Sequence, residues 1–301
     1  MEFLNVIVSS FTKLKFKRSI AGFLFILPAT ILLIWWGIIP LFYAIYISLH
    51  DWHLLRSTKP FAGLRNYATL LSDSRFWNSL KNTTYYSLQI PIGMVIALAL
   101  AVLLIRMRSG NLFRTIFYIP AVTSMVVISV MWKWLYNPEF GVLNYLLSFV
   151  GLGPYKWLDS RQMVIPSLIV MMVWYSLGHR IIMFSSGLQS IPKEYYEAAV
   201  VDGASGFQQL IYITLPLLKP ITLFILVTSV ISSFQIFAPV WMMTRGGPLR
   251  ASEVIVYLIY QEAWQRMNMG YAAAQSWILF GLLFVFTVIQ FRLMGKDGIR
   301  Y

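Results

Sequence analysis

An acidic stretch, KEYYEAAVVDGASGFQQLIYITLPLLKP, runs from Lys193 to Pro220 between two long apolar segments. It holds Glu194, Glu197 and Asp202 within nine residues, a glycine pair at Gly203 and Gly206, and two closing prolines, Pro216 and Pro220. Carboxylates in such a place suit a cationic partner. An amphipathic helix resting on lipid would instead carry Lys and Arg on its polar face, and anionic lipid would repel these acids. Other reactive chemistry is thin. With no cysteine, the chain offers no disulfide framework, Fe–S cluster or thiol nucleophile. His50-Asp51-Trp52-His53 has a spacing that a metal could use, but His and Trp at the end of an apolar run are also ordinary interfacial residues. No Ser/His/Asp arrangement supports an enzyme reading. Gly295-Lys296 lacks both the leading glycine and the Ser/Thr of a phosphate loop.

The acidic stretch carries its own folding instructions. Pro192 suits a first helical turn, and Glu194 complements the helix dipole there. No helix breaker follows until Gly203, which can end the helix in a left-handed conformation. Ser205 can cap a second helix, in which Phe207, Leu210, Ile211 and Thr214 would share one face. Pro216 and Pro220 are expected to stop it before the next apolar segment. The loop 189–218 is thus predicted as helix, tight turn, helix, lying along the inner face of a membrane.

The remainder of the chain makes the membrane necessary. Of 301 residues, 58% are hydrophobic and 12% charged, against about 25% charged in soluble domains. Crossing the hydrocarbon takes about 20 apolar residues. Six segments qualify: 19–49, 83–105, 113–136, 163–188, 219–243 and 271–293. The expected fold class is all-α and polytopic, with 1–18 a cytoplasmic N-terminal segment and 19–301 one six-span domain. The first apolar run is too long for the core of a signal peptide and reads as a first transmembrane helix. The runs 142–150 and 254–264 are too short to cross and read as interfacial helices or loop packing. Prolines 28, 40, 91, 120, 166 and 239 are expected to kink spans without breaking them.

The net charge of +13 fits Lys and Arg in cytoplasmic segments facing anionic lipid. No basic run has the aromatic interleaving of a nucleic-acid site. Lys and Arg divide almost evenly between the two sides, but those at span ends, such as Arg106 and Arg108, favour cytoplasmic N- and C-termini. Polar side chains within spans are costly and mark functional candidates. The fourth span supplies Tyr175, Ser176, His179 and Arg180, and the fifth Ser232, Ser233 and Gln235. Tyr175 and Gln235 read equally well as interhelical hydrogen-bonding groups. Arg180 is open to three readings: snorkelling, pairing with a neighbour, or meeting an anionic substrate. The spans hold no acidic residue, which weighs against the alternative of an ion-coupled secondary transporter.

Glu197-Ala198-Ala199, Gly203, and Ile213-x-Leu215-Pro216 resemble the EAA signature of permease subunits of binding-protein-dependent ABC importers. The stretches GLRNYATLL, FWNSLKNT, FRTIFYIPAV, WKWLYNPEFGVLN and MTRGGPLRASEVIVYLIYQEAW are similar to the carbohydrate branch of that family (maltose, oligosaccharide and glycerol-phosphate permeases), and to the first of its two paired permeases. The resemblance implies a compact six-span type I importer fold in a bacterial or archaeal cytoplasmic membrane. It implies that the loop is a coupling helix docking on a cytoplasmic ATPase, through Glu194, Tyr195, Glu197, Ala198, Ala199, Asp202, Gly203 and Pro216. ATP and Mg would be used by that ATPase dimer, with no cofactor or metal bound by this chain. The other implied partners are a second six-span permease, an extracytoplasmic solute-binding protein, and a sugar. Gap-free matching puts Met172, Tyr175, Ser176 and His179 on one side of the sugar path. It puts Ser232, Ser233 and Ile236 on the other, beside Gln235. The asparagines of the maltose branch are not kept at these positions.

Overall fold

The computed structural model describes residues 22–294. The basic cluster Lys13, Lys15, Lys17 and Arg18, the start of the first predicted span, and Gly295-Lys296 and Arg300 lie outside the described residues.

Four helices are long and apolar enough to cross a membrane, or six segments if each of two bent pairs is one span. The first is α1 (Gly22–Ser48). It passes Pro28 unbroken, and it meets Pro40 through a π-helical turn at Ile34–Ile38. Widening the helix there accommodates the missing N–H, so this proline does not break the helix. A short helix α2 (Arg65–Ser72) follows.

The helical run that carries the second predicted span begins before its apolar segment. Helix α3 (Ser74–Tyr86) and helix α4 (Gln89–Arg106) together run 33 residues. Asp73 caps α3 by accepting the Arg75 N–H at 2.8 Å. Its polar Ser79, Asn82 and Thr83 are buried against protein rather than lipid, a distinction that hydropathy cannot make.

The third predicted span is two helices, α5 (Gly110–Val122) and α6 (Met125–Leu135), bent by 98°. Pro120 sits two residues before the break. Here the expectation that prolines only kink the spans fails. Helix α7 (Val142–Ser148) keeps Val142, Tyr145 and Leu146 exposed and buries only Asn144, as an interfacial helix would.

Helix α8 (Val164–Gln189) matches the fourth predicted span. Next come α9 (Lys193–Val201), α10 (Gly206–Leu217) and α11 (Lys219–Phe234), with α10 and α11 bent by 66°. The second loop helix stops before the next apolar segment as predicted, ending at Leu217, one residue after Pro216. The chain bends at Leu218, and Pro220 lies in the first turn of α11, where a missing N–H costs nothing. The helix of the fifth predicted span, 219–243, is interrupted. It ends at Phe234, unwinds through Gln235–Phe237, and resumes as a short helical stretch that closes with a π-helical turn at Val240–Thr244.

Helix α12 (Ile255–Tyr260) and the π-helical turn Gln261–Gln265 cover the second short run. Ile255, Leu258 and Ala263 are buried, so this run is core packing and not an interfacial helix. It sits against Phe76, Phe234, Leu279 and Leu283, the last two on α13 (Met269–Met294).

The bundle is tight where small residues meet. On α4, Gly93, Ala97 and Ala101 recur every four residues and face α8, which lets the two backbones approach closely. Gly178 on α8 meets α5 still more closely, since a Cβ there would stand 2.1 Å from the Phe117 carbonyl oxygen. Gly178→Ala is therefore expected to destabilise the protein by about 1–3 kcal/mol through overpacking. A thermal melt in detergent checks this, and an unchanged midpoint would refute it.

Candidate functional site

The acidic stretch and the polar span residues occupy two linked places. In the loop, Gly203 has φ +74° with nothing within 4 Å of an added Cβ, so backbone conformation alone demands glycine. Gly203 N–H donates to the Val200 carbonyl at 3.0 Å, and Ala204 N–H to the Ala199 carbonyl at 2.8 Å. This bond pair closes α9 as a Schellman motif, with an alanine of the Glu-Ala-Ala run as acceptor. Ser205 then opens α10 with a full capping box: its Oγ accepts from Gln208 N–H at 3.4 Å, and Gln208 Oε1 accepts from Ser205 N–H at 2.7 Å.

The predicted apolar face of the second helix is only partly realised. A π-helical turn at Leu210–Thr214 changes the residue spacing, so Thr214 is buried while Phe207 is 70% exposed. The Tyr196 and Thr214 hydroxyls pair at 3.0 Å and tie α9 to α10. Glu194, Tyr195, Glu197, Ala198, Asp202, Gly203 and Pro216 all face outward, and Ala199 is half-buried. Among the described residues, the three carboxylates have no hydrogen-bond or ion-pair partner. Val200, Val201 and Phe207 are also exposed around the turn. The loop thus presents an apolar tip beside unpaired acids.

The same loop joins two helices that wall a cavity of about 610 Å³. From α8 come Met172, Tyr175, Ser176 and His179. From α11 and its unwound end come Ser232, Ser233, Gln235 and Ile236. The structure therefore brings all eight polar-path candidates to one cavity. Ser176 Oγ is already used, donating to the Met172 carbonyl at 2.7 Å, whereas Ser233 Oγ is buried without a partner among the described residues. Tyr118, Ala121 and Met125, from either side of the α5–α6 bend, complete the wall. Sequence reasoning missed these three because their contribution depends on that bend.

Arg180 also lines the cavity and is only 3% exposed, so it does not snorkel. Its Nη1 donates to the Gln89 carbonyl at 3.2 Å and its Nη2 to Gln89 Oε1 at 2.8 Å. Gln89 and Gly93 were also missed. The available clue was Gln89 as a polar residue one turn before the small-residue series on α4.

An ionic cluster ties α3 to the segment 253–266. Arg75 grips Glu253 with two bonds, Nε to Oε2 at 2.9 Å and Nη2 to Oε1 at 2.6 Å. It also reaches Gln261 and, at 3.4 Å, Glu262, which Arg266 contacts at 2.6 Å. Burial pushes the Glu262 carboxyl up, and Arg266 and Arg75 pull it back. Asn82 donates to the carbonyls of Arg250 and Glu253, holding the Gly246–Pro248 turn region against α3.

The two histidines of the His50–His53 stretch are engaged separately. His50 Nδ1 donates to the Tyr46 carbonyl at 2.7 Å, while His53 Nδ1 accepts from Leu55 N–H at 3.3 Å. Among the described residues no cluster of three acidic or histidine side chains could hold a metal ion.

Residues 89–295 match the family described as binding-protein-dependent transport system inner membrane component. The probable ABC transporter permease protein YurN of Bacillus subtilis is 34% identical, over 93% of this chain and 99% of that protein. The trehalose/maltose transport system permease protein MalF of Thermococcus litoralis is 31% identical, over 93% of this chain and 96% of its own. In fold, the chain is similar to a bacterial alginate ABC transporter solved in complex with an alginate pentasaccharide-bound periplasmic protein. The TM-score is 0.80 at 24% identity, covering 95% of this chain and 98% of that one.

Proposed function

Because this chain belongs to the family of binding-protein-dependent transport system inner membrane components, we propose that its cavity and its acidic loop divide the work of transport. The chain is a multi-pass inner-membrane permease of an ABC sugar importer, and relatives with that role cover nearly its whole length. Within that frame, the cavity between α8 and α11 is the solute path, and α9–α10 is the coupling element that receives the ATPase. The bent pair α5–α6 counts as one span and α11 as another, giving six spans with both termini in the cytoplasm.

One observation carries this reading. The exposed loop is continuous with both cavity walls, α8 entering it and α11 leaving it. A push on α9–α10 from a closing ATPase dimer would therefore act on both walls at once. The break at Gln235–Phe237 lies at the cavity, so the far end of α11 can change angle without stretching the near end. Alternating access then needs only rocking about the cavity.

The family supports the remaining parts of this reading. ATP and Mg are used in a separate ATPase dimer. A second six-span permease completes the path, and an extracytoplasmic solute-binding protein delivers the sugar. Tagged chain purified in mild detergent is expected to bring down an ATPase and a second permease, and the complex to take up solute only with ATP. A lone chain that transports on an ion gradient without ATP would overturn the reading in favour of a secondary transporter.

A further inference from the structure

We infer that the solute passing through the cavity is an anion, held at Arg180. The inference rests on the cavity being the solute path, and it deepens that reading by naming a substrate class. A guanidinium has five N–H donors and no acceptor. Arg180 commits two of them to Gln89, a neutral amide, and the rest have no partner among the described residues. The ion pairs among those residues lie elsewhere, around Asp51, Glu253 and Glu262. Among the described residues no Asp, Glu or Lys lines the cavity, so apart from the imidazole of His179 its wall carries one charged side chain, Arg180. A buried cation without a counter-charge is costly and is retained where it meets a function.

The fold also makes room for this cation. A Cβ on Gly93 would stand 1.8 Å from Arg180 Nη1, so the guanidinium lies in a notch that only glycine leaves open. Gln89 holds it there by both its backbone and side-chain oxygens, which fixes the plane of the fork. Ser233 Oγ, buried without a partner among the described residues, lines the same cavity as a further donor. A fixed guanidinium with free N–H groups matches a carboxylate or a phosphate and gives little to a neutral hydroxyl.

The test is ATP-driven uptake by the whole importer, reconstituted in proteoliposomes with its own solute-binding protein. The probes are a uronate trisaccharide, sn-glycerol 3-phosphate and neutral maltotriose. One acidic probe is expected to be taken up, and which one distinguishes carboxylate from phosphate. Arg180→Gln is expected to cut that uptake by about tenfold or more, as loss of a charge-assisted contact should, and Arg180→Lys to cut it less. Uptake of maltotriose alone, or acidic uptake that Arg180→Gln leaves untouched, would overturn the inference. Should the Gln variant fail to assemble, competition in the parent decides. Displacement of the labelled acidic probe by unlabelled maltotriose counts against an anion site, and resistance to it counts for one. Failure of the underlying path looks different, with ATP driving uptake of neither class in parent or variant.

Discussion

Glu197→Lys is expected to abolish most ATP-driven uptake, by about tenfold or more, while leaving the fold intact. Glu197 is exposed on α9 and unpaired among the described residues, so reversing its charge removes no internal contact. Exposed substitutions of this kind usually move stability by no more than about 0.5 kcal/mol. The loss would arise at the ATPase, where placing like charges together costs docking energy, and each 1.4 kcal/mol or so is a factor of about ten. Glu197→Gln should fall between parent and Lys, because it removes the attraction without adding repulsion. The measurements are uptake in proteoliposomes, recovery of ATPase with the tagged chain, and a thermal melt. Normal uptake in the Lys variant, with the ATPase still bound, would remove Glu197 from the coupling element.

Arg75→Ala is expected to have the largest effect on stability. Its side chain is 11% exposed, facing Glu253 at 3% and Glu262 at 4%. Removing the cation leaves Glu253 buried with no counter-charge, a change that typically costs about 3–5 kcal/mol. Glu262 suffers less, because Arg266 still contacts it at 2.6 Å. Arg75→Lys should recover only part of the loss, since an ammonium cannot reproduce the two-bond grip on Glu253. The double change Arg75→Met, Glu253→Leu should recover more than Arg75→Ala alone retains, because it removes the stranded charge together with its partner. Melting temperature and the amount of protein in the membrane report both. An Arg75→Ala variant that melts with the parent would show that this cluster contributes nothing net.

The acidic loop was legible because its determinants are local. Gly203 ends one helix and Ser205 begins the next within a few residues, through hydrogen bonds that span only a turn. The limit of such reasoning shows within the same loop. A constant helical spacing puts Phe207 and Thr214 on one face, but a π-helical turn between them buries Thr214 and leaves Phe207 exposed. The cavity was half legible. Polar residues in apolar spans pointed to α8 and α11, while Tyr118 and Met125 reach the same wall only because α5 and α6 meet at 98°.

By itself the sequence determined that the chain is a membrane bundle, roughly where the apolar segments lie, and that a capped helix–turn–helix interrupts them. These follow from solvent preference and from bonds between near neighbours, which every short stretch carries within it. Only the tertiary structure decided which spans bend, that the 254–264 run is core, and what Arg180 and Arg75 touch. The partners of these two arginines are 91 and 178 residues away, on Gln89 and Glu253. Hydropathy measures each segment against lipid, whereas a buried polar group is stable or costly according to the one group that packing sets opposite it.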